Sequence, residues 1–523
     1  MTVKFSTIAS RIVRGKLLFL LMAALVGICA VSAGAVEVVI ATPEEIQGTD
    51  IQQVTWDNVV HQLLFEPLFY LAPDMKTFVP AAASKWEMSE DGRVLSFEVP
   101  QGRKFSNGEP LTAEAFQKSV ERYLEICEYA DDLAALDKTQ VEGDTLNFIF
   151  KASPAPSMLS MGSVFGGAVE VKDAEKQGQD KSKSNINSYG PMKTDRWVQG
   201  SHIRLVPNPD YYTFNPLVEN KGPIKVDAIT IRFIPDSFTR VKELQAGDVD
   251  MIYNVPGERV AALSKDPNIV LHSSLQNGCD LLYINPEVTG LSDVRVRRAM
   301  NLAINREELV AALADTAEPR YGLISPAMIG YSAEYEAEAA KQFAYNQKEA
   351  EALLEEAGYT MGKDGIRTDG KTKLEFTMQV AFDIPSAKKT APVIQAQLKK
   401  IGIALNLREF ERIYVNRACR DKKYEIATRS YIWADSDILT FLFHTDSGYF
   451  SFSDVDELIE AGRVDPNPEV RAVAYAEAQR AIMDKAIVIP TVSNMDYTAY
   501  RKSLTGIILT PIKTIFINDI AKQ

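Results

Sequence analysis

Strand-like and helix-like segments alternate along the chain from residue 36 onward, and this alternation constrains the fold more than any other feature. Residues 36–41 form an apolar run rich in β-branched residues, which predicts a buried strand. Residues 86–100 carry strand residues on both sides of Asp91-Gly92, which predicts a hairpin. Alternation of strands and helices indicates an α/β fold. A length of 523 residues indicates more than one folded unit.

Helix starts are predicted from residues whose side chains can cap a first turn. The predicted N-caps are Thr112, Asp236, Ser292, Asn305, Asn346 and Asn467. The apolar face predicted for the helix after Asn467 consists of Val470, Val473, Ala474, Ala478, Ala481 and Ile482. In residues 292–305, a stripe of Val296, Met300 and Ala303 is predicted to be buried, with Arg295, Arg297 and Arg298 in solvent. Residues 170–187 are charged and rich in Ser and Asn, which predicts an exposed loop near a lobe boundary.

The N-terminus has the pattern of a secretory signal peptide. Lys4, Arg11, Arg14 and Lys16 precede an apolar stretch at residues 17–30, and Ala33-Gly34-Ala35 follows it. A basic, apolar and A-x-A sequence in this order predicts export, with residues 1–35 cleaved near Ala35. The mature protein is therefore expected in the periplasm or another extracytoplasmic space. A retained anchor and a lipidated Cys29 are the alternatives.

The charge balance and the cysteine count restrict the function further. The net charge is −13, and removal of residues 1–35, which hold four basic and no acidic residues, takes it to −17. Binding to nucleic acid needs a basic face, so a nucleic-acid partner is not expected. Three cysteines remain in the mature chain, Cys127, Cys279 and Cys419. Their odd number leaves at least one thiol unpaired, and the sequence does not decide whether any two form a disulfide.

Motifs of catalysis and of resident metal or cofactor sites do not emerge from the sequence. Residues 365–372 match the phosphate-loop pattern G-x-x-x-x-G-K-[ST], but a helix is predicted before them and a strand after them, which reverses the required order. Asp369-Gly370 is better interpreted as a turn. The four histidines lack metal-ligand spacing, and neither H-E-x-x-H nor G-x-S-x-G occurs. We therefore expect no catalytic residues, no metal ligands and no cofactor.

Four segments, in order, resemble the extracytoplasmic solute-binding proteins of the peptide/nickel class (family 5) that serve ABC transporters. Residues 79–122 contain VPAAASKWEMSEDGRVLSFEVPQGRKFSNGEPLTAEAF, and residues 188–212 contain YGPMKTDRWVQGSHIRLVPNPDYY. Residues 226–250 end in LQAGDVD, and residues 281–309 contain DVRVRRAMNLAINR. The similarity covers nearly all of the mature chain and is strongest to dipeptide- and oligopeptide-binding members.

This resemblance implies an α/β fold with two large lobes joined by a hinge, of the periplasmic-binding-protein type (class II, cluster C), plus a small extra lobe. Lobe I would be discontinuous and would consist of residues 36–55, 188–275 and 493–523. The small extra lobe would comprise residues 56–187, and lobe II residues 276–492. A ligand would be enclosed between the two large lobes as they close.

The segment expected to contact the ligand is residues 429–435. It resembles the family's "W-x-a-D" stretch, in which the aspartate of oligopeptide-binding members takes the ligand's α-ammonium group and an arginine six residues earlier can meet a carboxylate. The matching residues are Asp435 and Arg429, while Tyr431 and Trp433 are expected to wall side-chain pockets. Without the family context, Asp435 would be a helix cap or a surface acid, Arg429 a solvated side chain, and Tyr431 and Trp433 core aromatics.

The resemblance thus implies a monomeric binding protein without catalytic activity. It would capture a short peptide between its lobes and deliver it to the permease subunits of an ABC importer. Binding of a nickel chelate or another small non-peptide solute is the first alternative, and an exported hydrolase is the second. Peptide length, side-chain preference and the partner permease are not decided by the sequence.

Overall fold

The computed structural model describes residues 36–178, 185–450 and 452–523. The predicted signal peptide and residues 179–184 of the predicted loop lie outside the described residues. In the described part of the chain, no helix combines the length and the apolar character needed to cross a bilayer.

A twelve-stranded mixed sheet is the largest sheet in the described part of the chain. Its strands are β1 (Glu37–Thr42), β8 (Met192–Val198), β9 (His202–Pro207), β10 (Ala228–Phe233), β11 (Met251–Ile252), β12 (Ile269–Leu275), β13 (Gly278–Ile284), β14 (Ala317–Pro319), β17 (Glu375–Ala381), β18 (Ala404–Phe410), β19 (Ile426–Ile432) and β20 (Val488–Arg501). The order is β18-β17-β19-β13-β20-β11-β1-β10-β9-β8, and β12 and β14 also pair with β20.

The long strand β20 connects the two halves of this sheet. Its first residues pair with β13, with Val488 opposite Tyr283, whereas its last residues pair with β11 and β12, with Tyr500 opposite Met251 and Val270. One continuous strand therefore belongs to both halves, and this is the expected construction of two large lobes joined by a hinge.

Shorter strands form a separate four-stranded antiparallel sheet and several hairpins. The four-stranded sheet has the order β4-β5-β7-β6, from β4 (Lys85–Met88), β5 (Val94–Glu98), β6 (Leu136–Glu142) and β7 (Thr145–Phe150). The two-stranded pairs are β2 (Phe69–Leu71) with β3 (Phe78–Pro80), β15 (Thr360–Met361) with β16 (Arg367–Thr368), β21 (Leu504–Thr505) with β24 (Ala521–Lys522), and β22 (Ile508–Leu509) with β23 (Ile515–Phe516). The hairpin predicted around Asp91-Gly92 is confirmed as β4 and β5.

Fifteen α-helices occur in the described part of the chain. They are α1 (Val59–Leu64), α2 (Ala113–Ile126), α3 (Ala155–Met161), α4 (Val171–Gln177), α5 (Ser237–Ala246), α6 (Gly257–Leu263), α7 (Val294–Leu302), α8 (Arg306–Ala312), α9 (Ala333–Gln342), α10 (Gln347–Glu356), α11 (Pro385–Lys400), α12 (Arg412–Arg420), α13 (Ile438–Phe443), α14 (Ser453–Ala461) and α15 (Pro468–Asp484). Five predicted N-caps are confirmed, since each side chain accepts a backbone N–H of its first turn: Thr112, Asp236, Asn305, Asn346 and Asn467.

Two local predictions were wrong. Helix α7 begins one residue later than predicted, because the Asp293 carboxylate rather than Ser292 accepts the Arg295 N–H at 2.8 Å. The predicted loop at residues 170–187 contains helix α4, because the Glu170 side chain caps it and Ala174 packs into the core. A short charged helix with one buried residue has too weak an apolar pattern to be recognised from sequence.

Arg297, which was predicted to be in solvent, is buried, and so is Arg471, for which no prediction was made. Arg297 is buried because its guanidinium donates to the carbonyls of Leu291 and Lys485 at 2.7 and 2.6 Å. Helix α15 is rotated from the predicted orientation, so that Val473 is 67% exposed while Arg471 is only 2% exposed. Ala478 and Ile482 are buried as predicted, but Val470 is exposed, and the inner face also carries polar residues that find partners inside.

The hydrophobic core is divided in the same way as the sheet. Two clusters of buried residues lie entirely within residues 279–492. A large cluster joins the four-stranded sheet to strands β1, β8, β9 and β10 and to the C-terminal segment. The three described cysteines are buried and free. The predicted turn at Asp369-Gly370 is confirmed, since the Asp369 carboxylate accepts the N–H groups of Lys371 and Thr372.

Candidate functional site

The predicted ligand segment lies at the end of strand β19, where the chain leaves the sheet of the second half. Gly278 of β13 pairs opposite Ile432, and a Cβ atom at residue 278 would lie only 1.9 Å from the Tyr431 carbonyl oxygen. The Trp433 N–H then donates to the Asn277 carbonyl at 2.7 Å, and the Ala434 carbonyl accepts the Ile329 N–H at 2.8 Å. Close backbone contacts therefore hold residues 433–435 in one place.

Asp435 is 1% exposed and forms a buried ion pair with Arg471 of α15. The two guanidinium nitrogens donate to the two carboxylate oxygens at 2.5 and 2.7 Å, and Arg471 Nε donates to the Gly462 carbonyl at 2.9 Å. Burial works to lower the pKa of Arg471, but the Asp435 carboxylate outweighs it and raises that pKa. The Asp435 carboxylate is thus paired with an internal guanidinium. Its contact with a ligand's ammonium group stays a prediction.

Arg429 is 7% exposed and lies between the aromatic rings of Tyr283 and Tyr449. Its guanidinium carbon is 5.2 and 5.1 Å from the two ring centroids, and one nitrogen donates to the Asn416 side chain. Within the described residues, it forms no ion pair with a carboxylate, and its Nε has no hydrogen-bond acceptor. Its role toward a ligand carboxylate stays a prediction.

The two predicted aromatics lie in different surroundings. Tyr431 is buried in the core of the second half, and its hydroxyl donates to the Leu323 carbonyl. Trp433 is 38% exposed. Arg429 and Tyr431 share one face of β19 and the core beneath it, whereas Trp433 and Ala434 come after the strand, so the structure does not bring all four predicted side chains together around one space.

Two adjoining cavities lie beside this segment. The smaller cavity, of about 160 Å³, is lined by Ala434 and Asn277 from the second half of the chain and by Phe65, Tyr70, Leu159 and Ile512 from the first half and the C-terminal segment. The larger cavity, of about 230 Å³, is lined by Glu44, Trp56, Tyr253, Asn254 and Lys513. Asp57, Gln62 and Ile512 line both cavities, so the two adjoin each other at these residues.

Two sets of contacts join the two halves of the chain. Met75, Leu71, Ile329 and Ala434 form a buried apolar cluster that joins a loop between β2 and β3 to the second half of the chain. Glu258 of α6 pairs with Lys389 of α11 at 2.8 Å. The two halves are therefore in contact, and the smaller cavity is bounded by both.

The sequence did not indicate the residues that shape this site most. Arg471 lies on a face of α15 that also carries Tyr475, Gln479 and Met483, all buried and all four residues apart. A spacing of four residues indicates one face of a helix, but Arg471, Tyr475 and Gln479 all carry polar groups. The prediction of the buried face therefore followed the apolar Val470 and Val473 instead. In the part of the chain that the structure describes, no group of three or more His, Cys, Asp or Glu side chains could hold a metal ion.

Comparison with known proteins identifies the family. The profile of the "Bacterial extracellular solute-binding proteins, family 5 Middle" matches residues 77–451. The chain is 25% identical to Di/tripeptide-binding protein 2 of Pseudomonas aeruginosa, covering 88% of this chain and 89% of that protein. It is 26% identical to the glutathione-binding protein GsiB of Salmonella typhi, covering 87% of this chain and 88% of that protein.

Among solved structures, NikA of Brucella suis in complex with Fe(III)-EDTA has the same fold, with a TM-score of 0.78 and 21% identity over 93% of this chain and all of that chain. The family match covers well over half of the sequence, and the resemblance inferred from four sequence segments is thereby confirmed. Proteins of this class are solute-binding components of ABC importers and are not enzymes. The chain belongs to the bacterial extracellular solute-binding proteins of family 5.

Proposed function

We propose that this protein captures a short peptide in the space between its two large lobes and delivers it to the permease subunits of an ABC importer. The observation that carries the proposal is the smaller cavity, whose walls come from both halves of the chain and include Ala434. The larger cavity adjoins it on the side of the first half and the C-terminal segment. A binding site is expected to be concave and largely apolar, with a few polar groups that orient the ligand. The names of the peptide- and glutathione-binding relatives support a peptide ligand.

Lobe closure would couple binding to delivery. A ligand that contacts both lobes only when they are closed shifts the population toward the closed state, because its affinity for the two states differs. The contacts at Met75 and at Glu258 with Lys389 would form during closure. The proposed lobes are residues 36–55, 188–275 and 493–523 for lobe I, 56–187 for the small lobe and 276–492 for lobe II, with the hinge in β20.

The proposal includes export and a monomeric state without a nucleic-acid partner. Cleavage near Ala35 by signal peptidase would release the mature protein, and N-terminal sequencing of protein recovered from the periplasm would then begin at Val36. A protein that keeps residues 1–35 and sediments with membranes would contradict this part of the proposal.

Ligand identification tests the function directly. Protein purified from the periplasm without denaturation is expected to carry peptides of a few residues, which native mass spectrometry would detect and sequence. Ligand-free protein should then bind synthetic dipeptides and tripeptides in isothermal titration calorimetry. Co-purification of a non-peptide solute, together with no heat of binding for any of these peptides, would overturn the proposal.

A metal chelate is the second candidate ligand. The fold shared with NikA, whose structure contains Fe(III)-EDTA, favours this candidate, since a chelate brings its own metal ligands and needs only arginine and aromatic contacts from the protein. Elemental analysis of the protein as purified separates the two candidates, because a chelate gives about one equivalent of nickel or iron and a peptide gives none.

A further inference from the structure

The Asp435 carboxylate has little capacity left for a ligand's ammonium group. Both of its oxygens accept hydrogen bonds from Arg471, and Oδ1 also accepts the Asp437 N–H at 2.8 Å. Only one acceptor site, on Oδ2, stays open, and Asp435 is 1% exposed and lines neither cavity. A cationic ligand group therefore needs another carboxylate in the cavity wall.

Asp57 is the carboxylate that lines both cavities. It lies directly before the N-cap of α1, and its Oδ2 accepts a hydrogen bond from Gln62 Nε2 at 2.9 Å. The Gln62 Oε1 in turn accepts the Ile515 N–H at 3.0 Å, so the amide is anchored on both sides and holds the carboxylate in position. Among the described residues, Asp57 forms no ion pair, and only its Oδ2 has a hydrogen-bond donor.

The other charged residues of the larger cavity are less suited to this role. Lys513 is paired with Asp496 at 2.9 Å, so it does not neutralise Asp57. Glu44 is exposed to solvent, where a charge pair is weak because water screens it. Asp57 is only partly exposed and adjoins the apolar cavity, where the lower dielectric strengthens a charge-assisted hydrogen bond.

The smaller cavity restricts the side chain of the ligand residue that carries the ammonium group. Its walls at Phe65, Tyr70, Leu159 and Ile512 are mainly apolar, and its volume of about 160 Å³ is close to that of an apolar cavity that accepts a benzene ring, roughly 150 Å³. An aliphatic or aromatic side chain on the residue that carries the ammonium would fill it. An acidic side chain there would lose its hydration and would face the Asp57 carboxylate, which also lines this cavity.

We infer that Asp57 receives the free amino terminus of the ligand and that the smaller cavity receives its first side chain. This inference rests on the proposed function and refines it, since the substrate class becomes short peptides with an unblocked amino terminus and an apolar first residue. Asp57 is the specificity-determining residue for the amino group, and Asp435 has a structural role through Arg471.

Calorimetry with four probes tests the inference: leucyl-alanine, leucyl-alanyl-alanine and the N-acetylated form of each. The wild type is expected to bind the free peptides at least tenfold more tightly than the acetylated ones. Asp57→Asn keeps the shape of the side chain and an acceptor for Gln62, so it should retain the melting temperature and lose at least tenfold in affinity for the free peptides alone. Glu44→Gln removes the same charge from the outer wall and should change affinity less than twofold.

The outcomes separate the two proposals. Absence of binding by the wild type to all four probes overturns peptide capture, and the inference with it. Peptide binding that is unaffected by Asp57→Asn, or equal for free and acetylated peptides, overturns the inference and leaves peptide capture intact. An equal loss in Glu44→Gln and Asp57→Asn would assign the effect to long-range charge and would also overturn a direct contact with Asp57.

Discussion

The ion pair between Asp435 and Arg471 gives the sharpest stability prediction. Both side chains are 2% exposed, and two hydrogen bonds of 2.5 and 2.7 Å join them. Removal of one partner leaves the other charge buried and unpaired, which costs about 3–5 kcal/mol. We therefore expect Arg471→Met and Asp435→Asn each to lower the free energy of unfolding by about that amount. The double variant should cost much less than the sum of the two, with a coupling energy of about 2–3 kcal/mol.

Denaturant unfolding followed by tryptophan fluorescence measures these free energies, and hydrogen exchange in residues 468–484 reports the local effect on α15. Arg480→Met is the matched control, because Arg480 is on the same helix but pairs with Glu338 at the surface, where a pair contributes about 0.2–1 kcal/mol. Additive effects of the two single variants, or a cost of Arg471→Met no larger than that of Arg480→Met, would refute the reasoning.

Three further predictions concern pH, lobe closure and the sheet. Burial raises the pKa of Glu66 from 4.5 to about 7, so the folded state binds more protons than the unfolded state between these pH values. The stabilisation of the folded state by this protonated carboxyl group is complete below pH 4.5 and is lost as the pH rises through 7. Glu66→Gln should therefore remove a decrease of about 3 kcal/mol in the free energy of unfolding between pH 4.5 and 8. Met75 has a φ of 59° and packs against Ala434 of the other half. Met75→Gly relieves the strained φ but removes this apolar contact between the halves. The radius of gyration of the ligand-free protein in small-angle scattering should therefore increase, and peptide affinity should fall a few-fold. Gly278→Ala places a Cβ 1.9 Å from the Tyr431 carbonyl and should lower the unfolding free energy by about 2–3 kcal/mol.

Each of these predictions has a measurement that would contradict it. The pH prediction is wrong if the wild type and Glu66→Gln show parallel stability curves between pH 4.5 and 8 in denaturant unfolding. The closure prediction is wrong if Met75→Gly leaves both scattering and affinity unchanged. For the sheet, Gly222→Ala is the control, because its Cβ would meet only the Asn220 side chain at 3.9 Å, and equal unfolding free energies for the two alanine variants would contradict the argument.

Local structure was largely predictable because it depends on neighbouring residues. Thr112, Asn305 and Asn467 cap helices through side chains that reach only two or three residues along the chain. The turn at Asp369-Gly370 depends on the same short range. The helix predicted before it and the strand predicted after it argue against a phosphate loop. Where two adjacent residues could both cap, as Ser292 and Asp293 could, the choice depended on a further contact with Arg295.

The orientation of α15 was not predictable from its own residues. Valines at 470 and 473 satisfied the apolar pattern, yet the helix turns Arg471 inward because the Asp435 carboxylate, 36 residues away in the chain, lies opposite it. A periodic pattern records the hydrophobicity of one helix and contains no information on the charges of the element against which it packs. Arg297 was assigned to solvent for the same reason, because its own helix does not show that the carbonyls of Leu291 and Lys485 accept hydrogen bonds from it.

The amino-acid order alone determined the α/β class, five of the fifteen helix starts in the described residues, the lack of catalytic motifs and the family. All of these depend on local sequence patterns. Tertiary structure alone decided that Asp435 is neutralised from within and that Asp57 lies at the junction of two cavities. Which charges meet depends on contacts between residues far apart in the chain, and such contacts form only when helices and strands pack together.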